Sequence, residues 1–422
     1  MQYNTIMSEF LIDGGVRLEG SIGVQTSKNA LLPIICGALL VEGEVVLKNV
    51  APYLDVENLL DIVKRCDVKI EHEFGAVVLD ASSAKPSLIP SALSKQLRAS
   101  ILLLGAFVGR FRHARVTFPG GCEIGLRPID LHLNALRELG VIIEENHGII
   151  NCDASNLRGG VVMLDFASVG ATENIILASV LGAEEVTILN AAREPEIVDL
   201  SNFLNRCGAN IVGAGTNEIV IKPVKKLFPI EYEPIKDRIV GCTYLLAGAI
   251  THGNIEVRGV KYAQNISFLK KLCQSGCQLN IKSDTITLKS PKTFQTVDMI
   301  ETNVYPAFPT DLQSPFVALL SIIKGVCIVR ENVFESRFKY VPELIKMGAK
   351  IKVKNNVALI EGVEKLSGAE VWATDLRGGA GLILAALCAN GYTTIHNANH
   401  ILRGYSNLAE NLGSLGARIK YK

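Results

Sequence analysis

The sequence predicts an α/β protein of two domains, each built from three copies of one repeat. Three observations lead to this fold class. The chain has 422 residues, a length typical of two domains. Hydrophobic residues make up 48% of it, which is enough for two sizeable cores. One succession of helix and strand signals recurs six times, at intervals of roughly 70 residues, and six copies divide most simply as three and three.

Each copy is predicted to be a βαβαββ-type unit. An apolar helix is followed by a short strand, an amphipathic helix and a closing β-hairpin. The apolar helices are predicted at 30–40, 100–108, 174–181, 243–250, 316–323 and 381–388. The strands that follow begin at 45, 116, 186, 255, 327 and 393. The amphipathic helices are predicted at 56–65, 131–139, 197–206, 266–273, 341–347 and 406–415, and the clearest hairpins at 210–221, 278–288 and 350–360.

The sixth copy stops after its first hairpin strand, 417–420. The beginning of the chain, 10–14 and 17–20, has the same pattern as 359–362 and 365–368, which close the fifth copy. We therefore expect the N-terminal strands to complete the sixth repeat. This places one domain at 28–235 and the other at 1–27 plus 236–422, with an active site in the cleft between them.

Composition excludes several classes of function. Lys and Arg (43) balance Asp and Glu (42), so a nucleic-acid partner is not expected. The longest apolar runs are about ten residues, too short to cross a membrane. The spacing of the ten cysteines shows no paired pattern typical of a disulfide framework or a zinc site. Free thiols in the cytoplasm are therefore expected. No obligate protein partner is evident, and Met7 is an alternative start to Met1.

A glycine- and proline-rich loop, 119–130, carries the first chemical signal. Cys122 lies between glycines, and Arg127 follows five residues later. A nearby cation favours thiolate over thiol, so the loop is predicted to carry a reactive cysteine. The alternative is a hairpin turn that holds an inert cysteine.

Charged residues precede most of the apolar helices. Because equivalent positions of a repeat lie at the same end of a domain, we expect these groups to line one cleft. Helix N-termini attract anions, so the basic members predict an anion site. The predicted anion site combines Lys28, Arg98 and Arg377 with three arginines from strand-to-helix loops or helix starts, Arg127, Arg337 and Arg403. Asp237 and Asp375 are predicted to be helix caps or cross-domain partners. Arg337, Asp375 and Arg377 are also predicted to contact a substrate. The glycines at 378–381 are a weak phosphate-loop candidate, better explained by close helix packing.

These residues resemble the enolpyruvyl transferases, and within them the UDP-N-acetylglucosamine 1-carboxyvinyltransferases, along essentially the whole chain. The landmarks are Ser27-Lys28-Asn29-Ala30, Leu97-Arg98-Ala99-Ser100, the 119–130 loop, Ser168-Val169-Gly170, the 192–199 segment, Phe308-Pro309-Thr310-Asp311 and Thr374-Asp375-Leu376-Arg377. The cysteine loop is specific, since sister enzymes that act on shikimate 3-phosphate lack it. The resemblance implies a two-domain inverted α/β barrel with three repeats in each domain.

The resemblance also implies the reaction and its residues. Phosphoenolpyruvate would donate its enolpyruvyl group to the 3′-hydroxyl of UDP-N-acetylglucosamine and release phosphate, the first committed step of peptidoglycan precursor synthesis. Cys122 would be the acid, form a covalent adduct and be the target of fosfomycin; Asp311 would accept or orient the hydroxyl proton. Neither a metal nor another cofactor is implied. Phosphoenolpyruvate would be held by Lys28, Arg127 and Arg403, with Asn29 beside them. The UDP-sugar would be surrounded by Arg98, Arg127, Pro128, Ile129, Asp130, Leu131, Ser168, Val169, Asp311 and Val333.

The chain departs from the family pattern at two positions. Val240 stands where a glutamate is expected, and Leu402 where an aspartate is expected. Both departures leave open a same-fold enolpyruvyl transferase that acts on another nucleotide sugar. An inactive ligand-binding regulator is the alternative from another class, although the chain retains the complete set of catalytic residues.

Overall fold

A computed structural model of the chain describes residues 8–120 and 129–422. Within these ranges the chain forms two compact units. One consists of residues 8–25 and 236–422, and the other of residues 26–120 and 129–235. We call them the 236–422 unit and the 26–235 unit. Among the described residues, no helix is long and apolar enough to cross a membrane.

The first half of the chain begins with two strands and then runs through three repeats. The strands at the beginning are β1 (Glu9–Asp13) and β2 (Glu19–Gly23). The repeats comprise α1 (Lys28–Ala38), β3 (Glu44–Leu47), α2 (Leu54–Lys64), β4 (Lys69–Glu73), β5 (Ala76–Asp80), α3 (Ser91–Ser94), α4 (Leu102–Phe111), β6 (His113–Thr117), α5 (Asp130–Glu138), β7 (Ile142–Asn146), β8 (Ile149–Asp153), β9 (Gly160–Met163), α6 (Val169–Ser179), β10 (Val186–Leu189), α7 (Pro195–Arg206), β11 (Asn210–Val212), β12 (Glu218–Lys222) and β13 (Glu231–Tyr232).

The second half repeats the same succession. It comprises α8 (Arg238–Ile250), β14 (Asn254–Arg258), α9 (Ile266–Gln274), β15 (Gln278–Lys282), β16 (Thr285–Lys289), β17 (Met299–Glu301), α10 (Gln313–Leu320), β18 (Val326–Arg330), α11 (Val341–Lys346), β19 (Lys350–Lys354), β20 (Val357–Glu361), β21 (Glu370–Trp372), α12 (Leu376–Cys388), β22 (Tyr392–His396), α13 (Asn399–Leu402), α14 (Leu408–Ser414) and β23 (Arg418–Tyr421). Short 3₁₀ turns lie at Arg98–Ile101, Tyr262–Gln264 and Thr310–Leu312.

The six predicted apolar helices are confirmed, but most begin earlier than predicted. Helix α6 begins at Val169 rather than 174, and α12 begins at Leu376 rather than 381. The prediction followed the apolar run, whereas each helix begins at its cap. Ser168 and Asp375 accept hydrogen bonds from first-turn backbone N–H groups, which lets the helix start among polar residues. The last predicted amphipathic helix, 406–415, is shorter, because α14 begins at Leu408.

The described residues form six sheets, and five of them share one strand order. In this order, a parallel edge strand pairs with the strand that follows the apolar helix. That strand pairs with the second strand of the hairpin, and the second strand of the hairpin pairs with the first. The orders are β13-β3-β5-β4, β9-β10-β12-β11, β2-β14-β16-β15, β17-β18-β20-β19 and β21-β22-β1-β23. The other sheet is β6-β8-β7. The predicted α/β class with six repeats is therefore confirmed.

The first N-terminal strand completes the sixth repeat, as predicted, but the prediction for the second is wrong, because β2 pairs parallel with β14 in the sheet of the fourth repeat. Strand β1 lies between β22 and β23 and pairs antiparallel with both, in the place that β20 takes in the fifth repeat. Ile12 lies opposite Thr393 on one side and Ile419 on the other. The side chains of Phe10 and Ile12 are each 1% exposed. The two ends of the chain therefore close one sheet.

We expect Ile12→Ala to destabilise the protein by about 2–5 kcal/mol, because it leaves a cavity beneath a central strand. Urea unfolding monitored by circular dichroism would measure the change. Leu11→Ala is a matched control: Leu11 is the adjacent residue and is only half-buried on the other face of β1. Equal losses for the two variants would contradict the buried, central position of β1.

Apolar helices pack together within each unit. In the 26–235 unit α1, α4 and α6 contact one another, and in the 236–422 unit α8, α10 and α12 do so. Close approach depends on glycine: a Cβ on Gly105 of α4 would lie 2.5 Å from the carbonyl oxygen of Asn174. A Cβ on Gly381 of α12 would lie 2.8 Å from the carbonyl oxygen of Ser314 in α10, so the close-packing interpretation of Gly381 is confirmed.

Candidate active site

Helix caps account for the two acidic residues that precede α8 and α12. The Asp237 carboxylate accepts hydrogen bonds from the N–H groups of Ile239 and Val240 at 2.9 and 3.0 Å. The Asp375 carboxylate accepts from the N–H groups of Arg377 and Gly378 at 3.0 and 2.9 Å. The capping interpretation of both residues is confirmed, because these bonds satisfy N–H groups that a helix start leaves open.

Lys28 is the first residue of α1 and is buried beside an acid. Its Nζ lies 3.0 Å from Oδ2 of Asp55, and the two residues are 8% and 2% exposed. Ser27 caps the helix by accepting from the N–H of Ala30. Asn29, the next residue of α1, is half-buried. A buried cation needs a counter-charge, and Asp55 supplies one.

Asp55 was not predicted from the sequence. Its only signal was an acid in the first turn of the amphipathic helix α2, which is ordinary for a helix N-terminus. The pairing with Lys28 joins residues that are 27 positions apart, and only the folded chain reveals it.

Two buried arginines hold the carboxylate of Asp311, which lies in the 3₁₀ turn before α10. Nη2 of Arg337 lies 2.7 Å from Oδ1, and Nη2 of Arg377 lies 3.1 Å from Oδ2. The arginine side chains are each 3% exposed, and that of Asp311 is 27% exposed. Burial has the largest single effect on the pKa of Arg377 and lowers it, but the interactions with Asp311, Tyr405 and Asp237 together outweigh burial, so this pKa is raised.

The same arginines present N–H groups that have no acceptor among the described residues. These are Nε of Arg337 and both Nε and Nη1 of Arg377, all of them buried. A buried donor without an acceptor is costly, and such donors suit a negatively charged ligand. The guanidinium of Arg377 also lies over the ring of Tyr405, 5.4 Å from its centroid. Arg403, two residues before this tyrosine, follows directly after α13.

In the 26–235 unit, two predicted substrate-binding segments are neighbours. Asp130 and Leu131 begin α5 directly after Ile129, and Ser168 and Val169 begin α6. The two helices contact each other. The ring of His132 lies against the start of α6: a Cβ on Gly170 would be 2.8 Å from its Cε1. Nδ1 of His132 lies 2.7 Å from Nδ2 of Asn174.

Arg98 opens the 3₁₀ turn that precedes α4, whereas Val333 lies in the loop after β18 of the other unit. Cys122, Arg127 and Pro128 lie outside the described residues. Their predicted roles stay predictions. The nine described cysteines are free thiols.

Burial raises the pKa of these nine thiols. The pKa of Cys66 is raised to about 11, and those of Cys152 and Cys327 to about 12. Burial also raises the pKa of Cys273, the one exposed thiol among the nine. A raised pKa leaves less thiolate at neutral pH, so the described thiols are poor nucleophiles.

Both departures from the family pattern are packed into the 236–422 unit. Val240 is 0% exposed and belongs to its apolar core. Leu402 is partly buried and packs against the same core. An apolar side chain at either position is therefore accounted for by packing.

Glu173 is a buried acid of α6, 4% exposed. Burial first, and then the charges of Glu196 and Glu194, raise the pKa of Glu173 well above its usual 4.5. The protonated form is therefore favoured in the folded state. Its contribution to stability is complete below pH 4.5 and is lost as pH rises through the folded-state pKa.

We expect Glu173→Gln to weaken this pH dependence, because glutamine keeps the shape but cannot ionise. Between about pH 5 and about pH 8, the free energy of unfolding should fall less in the variant than in the wild type. Urea unfolding at several pH values would measure it, with the exposed Glu138→Gln as control. Parallel curves for wild type and Glu173→Gln would contradict a protonated Glu173.

The chain matches a protein family along nearly its whole length. A family model described as EPSP synthase (3-phosphoshikimate 1-carboxyvinyltransferase) matches residues 12–412. UDP-N-acetylglucosamine 1-carboxyvinyltransferase 2 of Caldanaerobacter subterraneus subsp. tengcongensis is 48% identical over 413 residues, covering 98% of this chain and 99% of the relative. UDP-N-acetylglucosamine 1-carboxyvinyltransferase of Thermotoga maritima is 42% identical over 417 residues, with 98% and 99% covered.

Solved structures share the fold. The enolpyruvyl transferase NikO from Streptomyces tendae superposes with a TM-score of 0.88 at 24% identity, covering 99% of each chain. EPSP synthase from Acinetobacter baumannii superposes with a TM-score of 0.75 at 17% identity, covering 98% of this chain and 100% of that one. The resemblance seen in the sequence motifs is thereby confirmed: the chain belongs to the EPSP synthase family of enolpyruvyl transferases.

Proposed function

We propose that this chain transfers the enolpyruvyl group of phosphoenolpyruvate to the 3′-hydroxyl of UDP-N-acetylglucosamine and releases phosphate. This reaction is the first committed step of peptidoglycan precursor synthesis. The observation that carries the proposal is the 48% identity, across 98% of the chain, to a relative named for that activity. Neither a paralogue with another acceptor nor an inactive regulator is favoured by this similarity.

Phosphoenolpyruvate carries a phosphate and a carboxylate, and cations stabilise both groups. We assign its binding to Lys28, Arg127 and Arg403, with Asn29 beside Lys28. The buried arginines of the 236–422 unit support an anion site, since Arg337 and Arg377 have N–H groups without an acceptor among the described residues.

Cys122 is assigned as the acid and Asp311 as the base. Transfer of the thiol proton to C3 of phosphoenolpyruvate makes C2 electrophilic. The 3′-hydroxyl oxygen bonds to C2 while its proton passes to Asp311. Transfer of a proton from C3 back to the Cys122 thiolate and loss of phosphate from C2 then restore the double bond. The hydrogen bonds from the two arginines support the role of Asp311, because they fix the orientation of its carboxylate.

UDP-N-acetylglucosamine is assigned to the remaining predicted contacts. In the 26–235 unit, support comes from the neighbouring starts of α5 and α6, which present Asp130 and Ser168. A substrate contact of Asp375 stays a prediction, because its carboxylate oxygens already accept hydrogen bonds from the α12 N–H groups and from the Thr374 hydroxyl. The residues assigned to the UDP-sugar are Arg98, Arg127, Pro128, Ile129, Asp130, Leu131, Ser168, Val169, Asp311 and Val333.

We further propose that the two compact units are the two predicted domains. The predicted cleft between the domains stays a prediction. A cytoplasmic location is also proposed, and the nine free thiols of the described residues support it, since a reducing compartment preserves thiols.

Phosphate release from phosphoenolpyruvate tests the proposal directly. We expect release with UDP-N-acetylglucosamine, and release at least about 100-fold slower with other UDP-sugars or shikimate 3-phosphate, because acceptor groups that hydrogen-bond to the site confer strong discrimination. Release only with another acceptor would overturn the proposed substrate. Absence of release with every acceptor would favour the ligand-binding regulator.

A further inference from the structure

The carboxylate of Glu331 joins two segments of the 236–422 unit. Glu331 follows directly after β18 and is 2% exposed. Its Oε1 accepts hydrogen bonds from the N–H groups of Val333 and Phe334, at 2.9 and 3.1 Å. Both of its carboxylate oxygens lie 3.0 Å from Oγ1 of Thr310. One buried side chain therefore connects the loop that carries Val333 with the 3₁₀ turn that carries Asp311.

The backbone of Glu331 is fixed by the neighbouring hairpin. Its N–H donates to the carbonyl oxygen of Asn356 at 2.8 Å. Nδ2 of Asn356 donates in return to the carbonyl oxygen of Glu331 at 3.1 Å. Asn356 lies in the turn between β19 and β20, so the sheet, rather than the loop, sets the position of the carboxylate.

Arg337, at the other end of the loop, also contacts the turn that carries Asp311. Its Nη2 donates to the carbonyl oxygen of Thr310 at 3.2 Å and to Oδ1 of Asp311 at 2.7 Å. Its guanidinium lies over the ring of Phe334, 5.5 Å from the centroid. The Thr310–Asp311 turn is thus held by its threonine hydroxyl, its carbonyl and its carboxylate.

We propose that Glu331 is a positioning residue that couples Asp311 to the backbone of Val333. It acts through Thr310 on one side and through the loop N–H groups on the other. A glutamate side chain suits this position, because its two carboxylate oxygens can accept about four hydrogen bonds at once. This inference rests on the proposed function, which assigns Asp311 to the hydroxyl proton and Val333 to the UDP-sugar. A supporting group of this kind holds reacting groups within about 0.5 Å of their productive geometry.

The two connections predict different kinetic effects. Thr310→Val keeps the shape of the side chain but removes the hydroxyl that binds Glu331. We expect kcat to fall about tenfold, with KM for UDP-N-acetylglucosamine within about twofold of wild type, since the Val333 connection is intact. Glu331→Ala removes both connections, so kcat should fall and KM should rise, each about tenfold.

Glu331→Gln is the conservative rescue. Its amide oxygen can still accept from the N–H groups of Val333 and Phe334, so KM should return to within about twofold of wild type. Combining Thr310→Val with Glu331→Ala should lower kcat no further than Glu331→Ala alone, because both changes remove one shared contact. The exposed Glu364→Ala is the control, with wild-type kcat and KM.

Steady-state kinetics on folded variants, with melting temperatures recorded in parallel, decides the question. A merely structural Glu331 would lower the melting temperature without this division between kcat and KM. A kcat within about twofold of wild type in Thr310→Val, or a KM in Glu331→Gln raised about tenfold, would overturn the proposal, even if Glu331→Ala fails to fold. A wild-type protein that releases no phosphate with UDP-N-acetylglucosamine would instead overturn the proposed function.

Discussion

Replacing Cys122 by serine should lower turnover by about 100-fold or more, because a hydroxyl is too weak an acid at neutral pH to protonate the enol carbon. Binding of UDP-N-acetylglucosamine should persist, since the thiol is assigned to the reaction and not to the sugar. Phosphate release measures the first effect, and isothermal titration calorimetry the second. Turnover within about threefold of wild type would exclude Cys122 as the acid.

Cys122→Asp separates proton transfer from nucleophilic attack. A carboxyl group can still carry a proton, so this variant should keep more activity than Cys122→Ser. A carboxylate is a weaker nucleophile than a thiolate, so the variant should resist fosfomycin. In the wild type we expect sulfur to attack an epoxide carbon, so that the carbon–oxygen bond opens and the oxygen takes up a proton. The expected product is a stable thioether at Cys122.

The raised pKa values of the other thiols make this labelling selective. Cys273, the exposed thiol among the nine described cysteines, has a pKa raised by burial, so Cys273→Ser should be inactivated at the wild-type rate. Peptide mass mapping after fosfomycin treatment would locate the label. Label on several cysteines, or its absence from the peptide that contains Cys122, would favour the alternative that the 119–130 loop holds an inert cysteine.

Asp311→Asn should also lower turnover by about 100-fold or more, because the amide cannot accept the hydroxyl proton. The variant keeps the size of the side chain, so phosphoenolpyruvate binding should survive. The structure adds a second consequence. Arg337 and Arg377 are buried and lose their counter-charge, so the melting temperature should fall as well.

Asp298→Asn is the matched control, because Asp298 is an exposed aspartate of the same unit. It should retain wild-type turnover and melting temperature. Single-turnover kinetics at saturating substrates would separate the chemical step of Asp311→Asn from a loss of folded protein. A folded Asp311→Asn variant with turnover within about threefold of wild type would remove Asp311 from the catalytic residues.

The repeat architecture could be predicted from the sequence because its signals are local. Apolar runs, amphipathic periods and hairpin turns recur within each copy, and the truncated sixth copy indicates that a strand is missing. The pattern at 10–14 identifies that strand, and β1 takes the predicted place between β22 and β23. The positions of the parallel edge strands β9, β13, β17 and β21 were not predicted, because two to four residues are too few to show a strand period.

The sequence by itself therefore determined the fold class, the six repeats, the family and the identity of the charged residues near helix starts. Only the tertiary structure decided which of those charges meet. Arg377 and Asp311 are 66 positions apart, and their contact follows from the packing of α10 against α12. The hydrogen bonds of Glu331 with Thr310 and with Asn356 likewise depend on a 3₁₀ turn and a hairpin that come together only in the folded chain. Periodicity reports which face of an element is buried, whereas hydrogen bonds and ion pairs depend on distances between elements.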